Sequence, residues 1–389
     1  MSANDTTRPI VLSRPTLYRH FHRIAWLAVA LALGVIVFGA FVRLSNAGLS
    51  CPDWPTCYGQ AAWPTAADHV VDHAATAIRP VEVHKAWREQ LHRMLAGALG
   101  VLVLALALLA ARRRPYGIAQ VVAAAVLVAL AIPLYMRGQH VAASALAMAG
   151  EMILLFAAIR WSNVDLARAS ALTLAVIIFQ ALLGMWTVTW LLKPVVVMGH
   201  LLGGLSTFAL LTWTAWRATH LPIRLVDWQV MRRWVIAVLV LLVVQIALGG
   251  WTSANYAALA CANDFPKCVG QWLPPHDFRE GFVLWRGIGV DYEGGVLDGA
   301  SRIAIQLAHR IMAVVAFAGL MALMVKLLRT PGMRTWAVLV GVLACCQVVL
   351  GIANVKLSLP LHVAVAHNAG AALLLFVLVS LLARLRPID

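Results

Sequence analysis

Two short segments of the sequence combine a histidine with a polar side chain one helical turn earlier. The first segment, Glu-Gln-Leu-His-Arg, starts at Glu89 and contains His92; the second, Gln-Leu-Ala-His-Arg, starts at Gln306 and contains His309. Residues three apart lie on one face of a helix, so each histidine has a carboxylate or an amide above it. A carboxylate can accept or donate a proton, whereas an amide of similar shape cannot. We therefore predict that Glu89 is catalytic; a glutamate that only favours a helix start is the alternative.

Two further histidines, His200 and His367, lie in later apolar segments at the same predicted depth as His92 and His309. Each of the four is one to two turns inside the predicted outer end of a membrane span, where an ionisable residue is costly and usually functional. A lone buried histidine is more often a packing residue. Four at one depth, two in each half of the chain, instead favour paired axial ligands of haem iron, because imidazole suits iron and helix bundles house such cofactors.

Charged and small residues follow these histidines. Arg93 and Arg310 come directly after the first and third, and we predict that these cations pair with haem propionates. Extension of the arginine side chains to the membrane surface is the alternative. Glycines follow the other two histidines by three residues, at Gly203 and Gly370. Their lack of a side chain would let a flat macrocycle approach the backbone, or would serve ordinary close packing of helices.

Four cysteines form two closely spaced pairs, Cys51 with Cys57 and Cys261 with Cys268. Both pairs lie in long polar loops that we predict on the oxidising side of a membrane, so each pair is expected to form a disulfide. A simple structural staple and a redox or haem-handling role both remain open, because small-loop disulfides can be labile.

Composition identifies the chain as a membrane protein. Of its 389 residues 62% are hydrophobic and 12% are charged, and the mean hydropathy is +0.83. The chain also contains repeated apolar runs of about twenty residues, which indicate bilayer-spanning helices rather than a soluble domain. The net charge of +15 comes from arginines and lysines in short connections, which is typical of orientation by the positive-inside rule and not of nucleic-acid binding. Cys345 and Cys346 lie within one apolar run and are predicted to be packing residues.

The apolar runs predict ten spans with both termini in the cytoplasm of a bacterial-type inner membrane. Residues 1–23 carry no cleavage-site pattern and are predicted to form a cytoplasmic tail, and residues 218–233 a cytoplasmic linker. The long loops and the four histidines then face the outer side. The predicted spans are 24–43, 89–111, 117–136, 141–160, 169–191, 195–217, 234–254, 302–328, 335–355 and 361–383.

The two halves of the chain resemble each other. In each half a long loop with a cysteine pair precedes a helix that contains one of the two histidine segments. Later in each half, a Gln-Ala-Leu-Leu-Gly or Gln-Val-Val-Leu-Gly segment precedes the second histidine. These segments begin at Gln180 and Gln347. Such matches predict an internal repeat.

The repeat predicts an all-α polytopic membrane protein built from two pseudo-symmetric four-helix bundles. The bundles, 24–217 and 234–389, are expected to be related by an axis along the membrane normal, because matched helices run in the same direction. Residues 115–168 supply two extra spans to the first bundle, with no counterpart in the second. Within this insert, Glu151 is either functional or a polar residue paired locally.

Taken together, several segments resemble the haem A synthase family of cytochrome oxidase assembly. The resemblance covers residues 24–111 and 169–385, and implies oxidation of the C8 methyl of haem O, through hydroxylated intermediates, to the formyl group of haem A. The family typically has eight spans, so the insert is a departure. The segments are Cys51-Pro-Asp-Trp-Pro-Thr-Cys57-Tyr-Gly, Lys85-Ala-Trp-Arg-Glu89-Gln-Leu-His92-Arg93, Gly184-Met-Trp-Thr-Val188, His200-Leu-Leu-Gly-Gly, Asn255-Tyr-Ala-Ala-Leu-Ala-Cys261, Trp272-Leu-Pro-Pro, His309-Arg310 and His367-Asn.

The resemblance also implies a role for each site residue. His92 and His200 would hold the iron of the substrate haem in the N-terminal bundle. His309 and His367 would hold a haem b that relays electrons in the C-terminal bundle. Glu89 would be the essential carboxylate, in agreement with its difference from the matching glutamine.

The resemblance further implies partners. These are haem O, a farnesyltransferase that produces it, an electron donor and membrane lipid; a homo-oligomer is left open. Two other classes of protein stay open. A di-haem b-type membrane electron-transfer protein would use the same four histidines, and a haem transporter or chaperone would also have repeats and buried polar residues. Neither of them needs an acidic residue in only one half of the chain.

Overall fold

The first helix begins earlier than hydropathy predicts. The computed structural model describes residues 20–161 and 166–387. Most of the predicted tail, residues 1–19, lies outside the described residues. The final residues of that tail are helical, because the first helix already starts at Phe21.

Twelve helices and one pair of two-residue strands form the described part of the chain. Ten of these helices are long and apolar enough to cross a membrane, which confirms the predicted all-α polytopic membrane protein. The elements are α1 (Phe21–Leu44), α2 (His73–Ile78), α3 (Val83–Ala111), α4 (Gly117–Met136), α5 (His140–Arg160), α6 (Ala167–Thr189), α7 (Pro194–Thr219), β1 (Ile223–Arg224), α8 (Trp228–Ala254), α9 (Phe278–Gly281), α10 (Gly299–Leu328), α11 (Arg334–Lys356), α12 (Leu361–Arg384) and β2 (Leu385–Arg386).

The starts of α3 and α8 differ most from the sequence-based boundaries. Hydropathy predicts spans from residues 89 and 234, whereas the helices begin at Val83 and Trp228. Three of the six additional residues of α3 are His, Lys or Arg and interrupt the apolar run, yet their backbone continues the same helix. As a result, His92 lies in the third turn of α3 and has two helical turns above it that belong to the polar loop region.

The long helices pack as two rings of four. In the first ring α1, α3, α6 and α7 contact each other in cyclic order, and in the second α8, α10, α11 and α12 do the same. The rings meet where α7 and α1 pack against α12 and where α7 packs against α8. The insert helices α4 and α5 form a hairpin that rests on α3 and α6 outside the first ring. The predicted symmetry axis between the halves stays a prediction.

Two long loops share one end of the molecule, which we call the loop end. Loop 1 comprises residues 45–82 and loop 2 residues 255–298. At the end of α1, the guanidinium group of Arg43 donates to the hydroxyl of Tyr256 at 3.0 Å and to the carbonyl of Ser253 at 2.9 Å. Because these partners belong to the second half, polar contacts hold the two rings together at the loop end.

The opposite end is held by short contacts between the halves. Strands β1 and β2 pair in parallel. The indole of Trp26 donates to Thr219 within the first ring at 3.0 Å, and the indole of Trp216 donates to Ser380 of the second ring at 2.7 Å. Hydrogen bonds between indoles and hydroxyls satisfy polar groups at the ends of otherwise apolar helices.

The free cysteines are placed differently from the prediction. Cys345 and Cys346 were predicted to pack inside the protein, but both are exposed on α11. The prediction was wrong because α11 packs mainly against its two ring neighbours, α10 and α12, so the rest of its surface is not covered by them. A span of this kind turns part of its surface toward lipid, and hydropathy alone does not identify that part.

The insert hairpin gives a test of the packing. A Cβ atom at Gly150 of α5 would lie 2.9 Å from the carbonyl oxygen of Ala124 in α4. The substitution Gly150→Leu should therefore force the two helices apart and destabilise the protein by about 1–3 kcal/mol. Thermal unfolding of the purified protein in detergent measures the change. Gly34→Leu is the matched control, because Gly34 has open space around it; equal stability of both variants would contradict the packing.

Candidate functional site

Four histidines line one cavity of about 2000 Å³ that extends across both helix rings. His92 on α3 and His200 on α7 are close enough for a charge on one ring to act on the other. His309 on α10 and His367 on α12 are placed in the same way. The structure thus brings the four histidines together as two pairs, one in each ring. Their binding of iron stays a prediction.

Each of these imidazoles packs against a glycine on a neighbouring helix. A Cβ atom at any of the four glycines would lie 2.7 to 3.1 Å from the Cε1 atom of the imidazole. Non-bonded carbon atoms prefer a separation of about 3.5–4.0 Å, so the helix can approach the ring only where the side chain is a hydrogen atom. The contacts join Gly39 to His92, Gly184 to His200, Gly249 to His309 and Gly351 to His367.

Two other glycines make room for glutamine side chains. The sequence leaves two roles open for Gly203 and Gly370, approach of a macrocycle to the backbone or close packing of helices. In the structure they face the amide oxygens of Gln180 and Gln347, as close packing requires. These glutamines, together with Gln245 of α8, each contact one histidine. No role for these glutamines is predicted from the sequence. The sequence signal that they share is Gln-x-x-x-Gly, which begins at Gln180, Gln245 and Gln347.

Glu89 is a buried, fully engaged carboxylate on α3. One oxygen accepts hydrogen bonds from the backbone N–H of Cys51 at 2.8 Å and from the hydroxyl of Ser50 at 3.1 Å, and the other forms an ion pair with Arg93. Gln306 is equally buried, at 4% exposure. Its Oε1 atom has no hydrogen-bond partner among the residues described. The N-terminal copy therefore carries an anchored carboxylate where the C-terminal copy carries a neutral amide.

The arginines beside the histidines hold the loops. Arg93 donates to three backbone carbonyls of loop 1 at 2.7 to 2.8 Å, and Arg310 donates to two backbone carbonyls of loop 2 at 3.0 Å. Both side chains also line the cavity, and the contact with a haem propionate stays a prediction. The carbonyls belong to Cys51, Asp53, Thr56, Asp264 and Lys267.

Each loop contains a disulfide next to its arginine. Cys51 is bonded to Cys57, with 4.7 Å between their Cα atoms, and Cys261 is bonded to Cys268, with 4.6 Å between theirs. In both loops the second cysteine forms an antiparallel backbone bridge with a glutamine three residues later. The two loops thus repeat the same turn and present two matching backbone carbonyls to an arginine, those of Asp53 and Thr56 in loop 1 and of Asp264 and Lys267 in loop 2. A redox role for either disulfide stays a prediction.

Tyr58 fixes loop 1 above the carboxylate. Burial raises the pKa of the Tyr58 phenol to about 12, and the negative charge of Glu89 acts in the same direction. The phenol is therefore neutral at physiological pH, and its hydroxyl donates to the carbonyl of Pro80 at 3.1 Å. A side chain that is buried and hydrogen-bonded in this way restricts movement of the loop over Glu89.

The insert helices form one wall of the cavity. Tyr135 of α4 and His140 and Glu151 of α5 line the same space as His92. The Oε2 atom of Glu151 is buried and has no hydrogen-bond partner in the part of the chain that the structure describes. Of the two alternatives for this residue, the structure therefore favours a place in the cavity over local pairing. The hairpin contributes directly to the N-terminal part of the site.

The arginine contacts predict how the loop disulfides respond to reduction. In Arg93→Ala, loop 1 loses its hydrogen bonds to a cation, each worth about 1.5–3 kcal/mol, so Cys51–Cys57 should be reduced by a mild thiol about tenfold faster. Alkylation of the released thiols, followed by mass spectrometry, measures the rate. Cys261–Cys268 in the same molecule is the internal control, and Arg310→Ala should reverse the pattern. Unchanged reduction of both disulfides would show that the arginines do not hold the loops.

Comparisons with known proteins agree with this arrangement. The family model described as COX15-CtaA, cytochrome oxidase assembly protein, matches residues 22–138 and 136–379. A haem A synthase of Shewanella oneidensis is 37% identical over 366 residues, which cover 92% of this chain and 96% of that protein. A haem A synthase of Rhizorhabdus wittichii is 25% identical over 90% of this chain and 89% of that protein. A haem A synthase of Caulobacter sp. strain K31 is 34% identical over 50% of this chain and 56% of that protein. The chain therefore belongs to the COX15-CtaA family of cytochrome oxidase assembly proteins.

Proposed function

We propose that this protein is a haem A synthase, a membrane oxidoreductase that converts the C8 methyl of haem O to the formyl group of haem A. One observation carries the proposal. One cavity between membrane-spanning helices is lined by two histidine pairs, and among the described residues only the N-terminal pair has a buried carboxylate one helical turn before a histidine. Membership of a cytochrome oxidase assembly family, with haem A synthases among the similar proteins, supports the same function.

The residues present suit two iron porphyrins. Imidazole is a common ligand of haem iron, and the cavity volume of about 2000 Å³ is twice the upper range for a drug-sized ligand, about 1000 Å³. In our proposal His92 and His200 hold the iron of haem O, the substrate. His309 and His367 hold haem b, which when bound supplies one-electron transfer.

Glu89 manages protons in this mechanism. It lies one helical turn before His92, so it faces the edge of a macrocycle held by that histidine. Its ion pair with Arg93 and its hydrogen bond from the Cys51 N–H fix its orientation before substrate arrives. Each step from the methyl group through hydroxylated intermediates to the formyl group involves proton transfer, and an oriented carboxylate can accept or donate a proton.

The insert helices receive the lipid-like part of the substrate. Haem O enters laterally between the helices with its farnesyl tail toward lipid. The cavity wall of α4 and α5 is largely apolar, and Val128, Ile132, Met148 and Met152 line it. An isoprenoid that arrives from lipid stays in an apolar environment against such side chains and gains dispersion contacts with them. Arg93 and Arg310 at the loop end are the residues proposed for the propionates.

The membrane location and partners belong to the same proposal. Short basic connections such as Arg112-Arg113-Arg114 lie opposite the loop end, which favours a bacterial-type inner membrane with both termini in the cytoplasm. The loops and histidines then face outward, where disulfides persist. A farnesyltransferase would supply haem O, and a separate electron donor would reduce the second haem. An electron-transfer protein or a haem carrier would leave added haem O unchanged.

Replacement of Glu89 tests the catalytic role. Glu89→Gln gives the N-terminal half the amide of the C-terminal half, so formation of haem A should fall at least about 100-fold while haem b remains bound. Chromatography with mass detection of extracted haem measures both. Glu82→Gln, at a half-exposed carboxylate just before α3, is the control and should keep its activity. Full haem A yield from Glu89→Gln would remove this residue from the mechanism.

Replacement of His309 tests the proposed haem b site. His309→Ala removes one of two axial ligands, so the low-spin b-type spectrum of the C-terminal site should be lost. Visible absorption and electron paramagnetic resonance spectra of the purified protein measure this. His362→Ala is a matched control, because His362 is exposed on α12 five residues before His367. Survival of the low-spin spectrum in His309→Ala would refute the ligand assignment.

A further inference from the structure

Three of the four imidazoles share a contact that the fourth lacks. In each of the three, a glutamine amide from the neighbouring helix lies against the histidine. Each glutamine stands four residues before the glycine that touches the same imidazole, so amide and glycine occupy one face of one helix. The pairs are Gln180 with His200, Gln245 with His309 and Gln347 with His367.

The distances are those of hydrogen bonds in two of these pairs. The Nε2 atom of Gln180 lies 2.9 Å from Nδ1 of His200, and that of Gln245 lies 3.1 Å from Nδ1 of His309. In the third pair, the Nε2 atom of Gln347 is 3.4 Å from Nε2 of His367, and it donates to the backbone carbonyl of the same histidine at 2.9 Å. Each of these rings therefore has a polar partner on one side.

The glutamines also have an acceptor that is unused. The Oε1 atoms of Gln180, Gln245 and Gln347 are all buried without a hydrogen-bond partner within the described ranges. An unpaired buried acceptor is costly. When an imidazole binds iron through one nitrogen, the other carries a proton and needs an acceptor. An amide flip, which exchanges the positions of Oε1 and Nε2, would supply that acceptor and satisfy the glutamine oxygen. In Gln180 and Gln347 the flip would replace the present hydrogen bond from Nε2 to the backbone carbonyl of the histidine.

His92 lacks this support. It packs on Gly39 of α1, and the residue four positions earlier is Val35, which offers no hydrogen bond. The Nδ1 atoms of His92 and His367 are both buried without a hydrogen-bond partner in the described residues, but His367 has the Gln347 amide at its Nε2 atom, whereas no described hydrogen bond joins an amide to His92. Of the four imidazoles, His92 is thus the one that a neighbouring amide does not orient.

We propose that Gln180, Gln245 and Gln347 are positioning residues, and that Val35 leaves His92 free to release iron. The inference rests on the proposed function and deepens it. A substrate haem must leave after oxidation, whereas a resident haem must stay. Both imidazoles of the C-terminal pair are held by glutamines, while the N-terminal pair combines one held imidazole with one free imidazole. The haem site that has to turn over therefore has one exchangeable ligand.

The test adds the missing amide. Purified protein is loaded with ferric haem b at both sites, and transfer of haem to excess apomyoglobin is followed in the Soret band. The unmodified protein should release haem in a fast and a slow phase. Val35→Gln should slow the fast phase about tenfold or more, because loss or gain of such a partner changes metal affinity about 10–100-fold. Val37→Gln, two residues further along α1 and outside the cavity lining, should leave both phases unchanged.

Two variants of Gln245 test the same inference at the C-terminal haem site. Gln245→Val should accelerate the slow phase, whereas Gln245→Glu, which keeps an acceptor, should retain it together with the low-spin spectrum. Release from Val35→Gln as fast as from the unmodified protein, or a slow phase unaffected by Gln245→Val, would overturn the inference while both haems still bind. Failure of the unmodified protein to bind haem would overturn the proposed function as well.

Discussion

The structure depends on the close approach of four helices to four imidazole rings inside a membrane-spanning protein. A polar ring at that depth is costly unless it is hydrogen-bonded or bound to a metal. The protein places all four rings with one device, a glycine that lets the neighbouring helix lie against the ring, and glutamine amides add a polar contact at three of them. These contacts fix neighbours in each helix ring. In the first ring α1 must face α3 and α6 must face α7; in the second ring α8 must face α10 and α11 must face α12.

The loop end adds chemistry to this scaffold. In both halves an arginine next to a histidine binds backbone carbonyls of a disulfide-bonded loop. In the N-terminal half alone, Glu89 joins that network through Arg93 and through the backbone of loop 1. The halves thus share one architecture but differ at the matched position on α3 and α10, which is the carboxylate Glu89 in one and the amide Gln306 in the other. The absence of a glutamine beside His92 is a second difference, and both differences fall on the half proposed to hold substrate.

Much of this arrangement could be predicted from the sequence, and the limits have physical causes. Apolar runs fix the number of spans, and the spacing of Glu89 and His92 places them on one face of a helix. Hydropathy does not report that polar residues before 89 continue α3, nor that Cys345 and Cys346 face outward. The role of Gln245 depends on a contact between two helices, which only the packed structure reveals. The contact of Arg43 with Tyr256 likewise joins residues whose proximity no local pattern indicates.

The central claim is that each histidine pair holds one iron porphyrin. A titration of the purified, haem-free protein with ferric haem b tests it most directly, with absorbance and electron paramagnetic resonance recorded at each step. Binding should saturate at two equivalents per chain, with low-spin signals typical of two nitrogen ligands. Saturation at one equivalent, or binding that persists after all four histidines are replaced by alanine, would contradict the account.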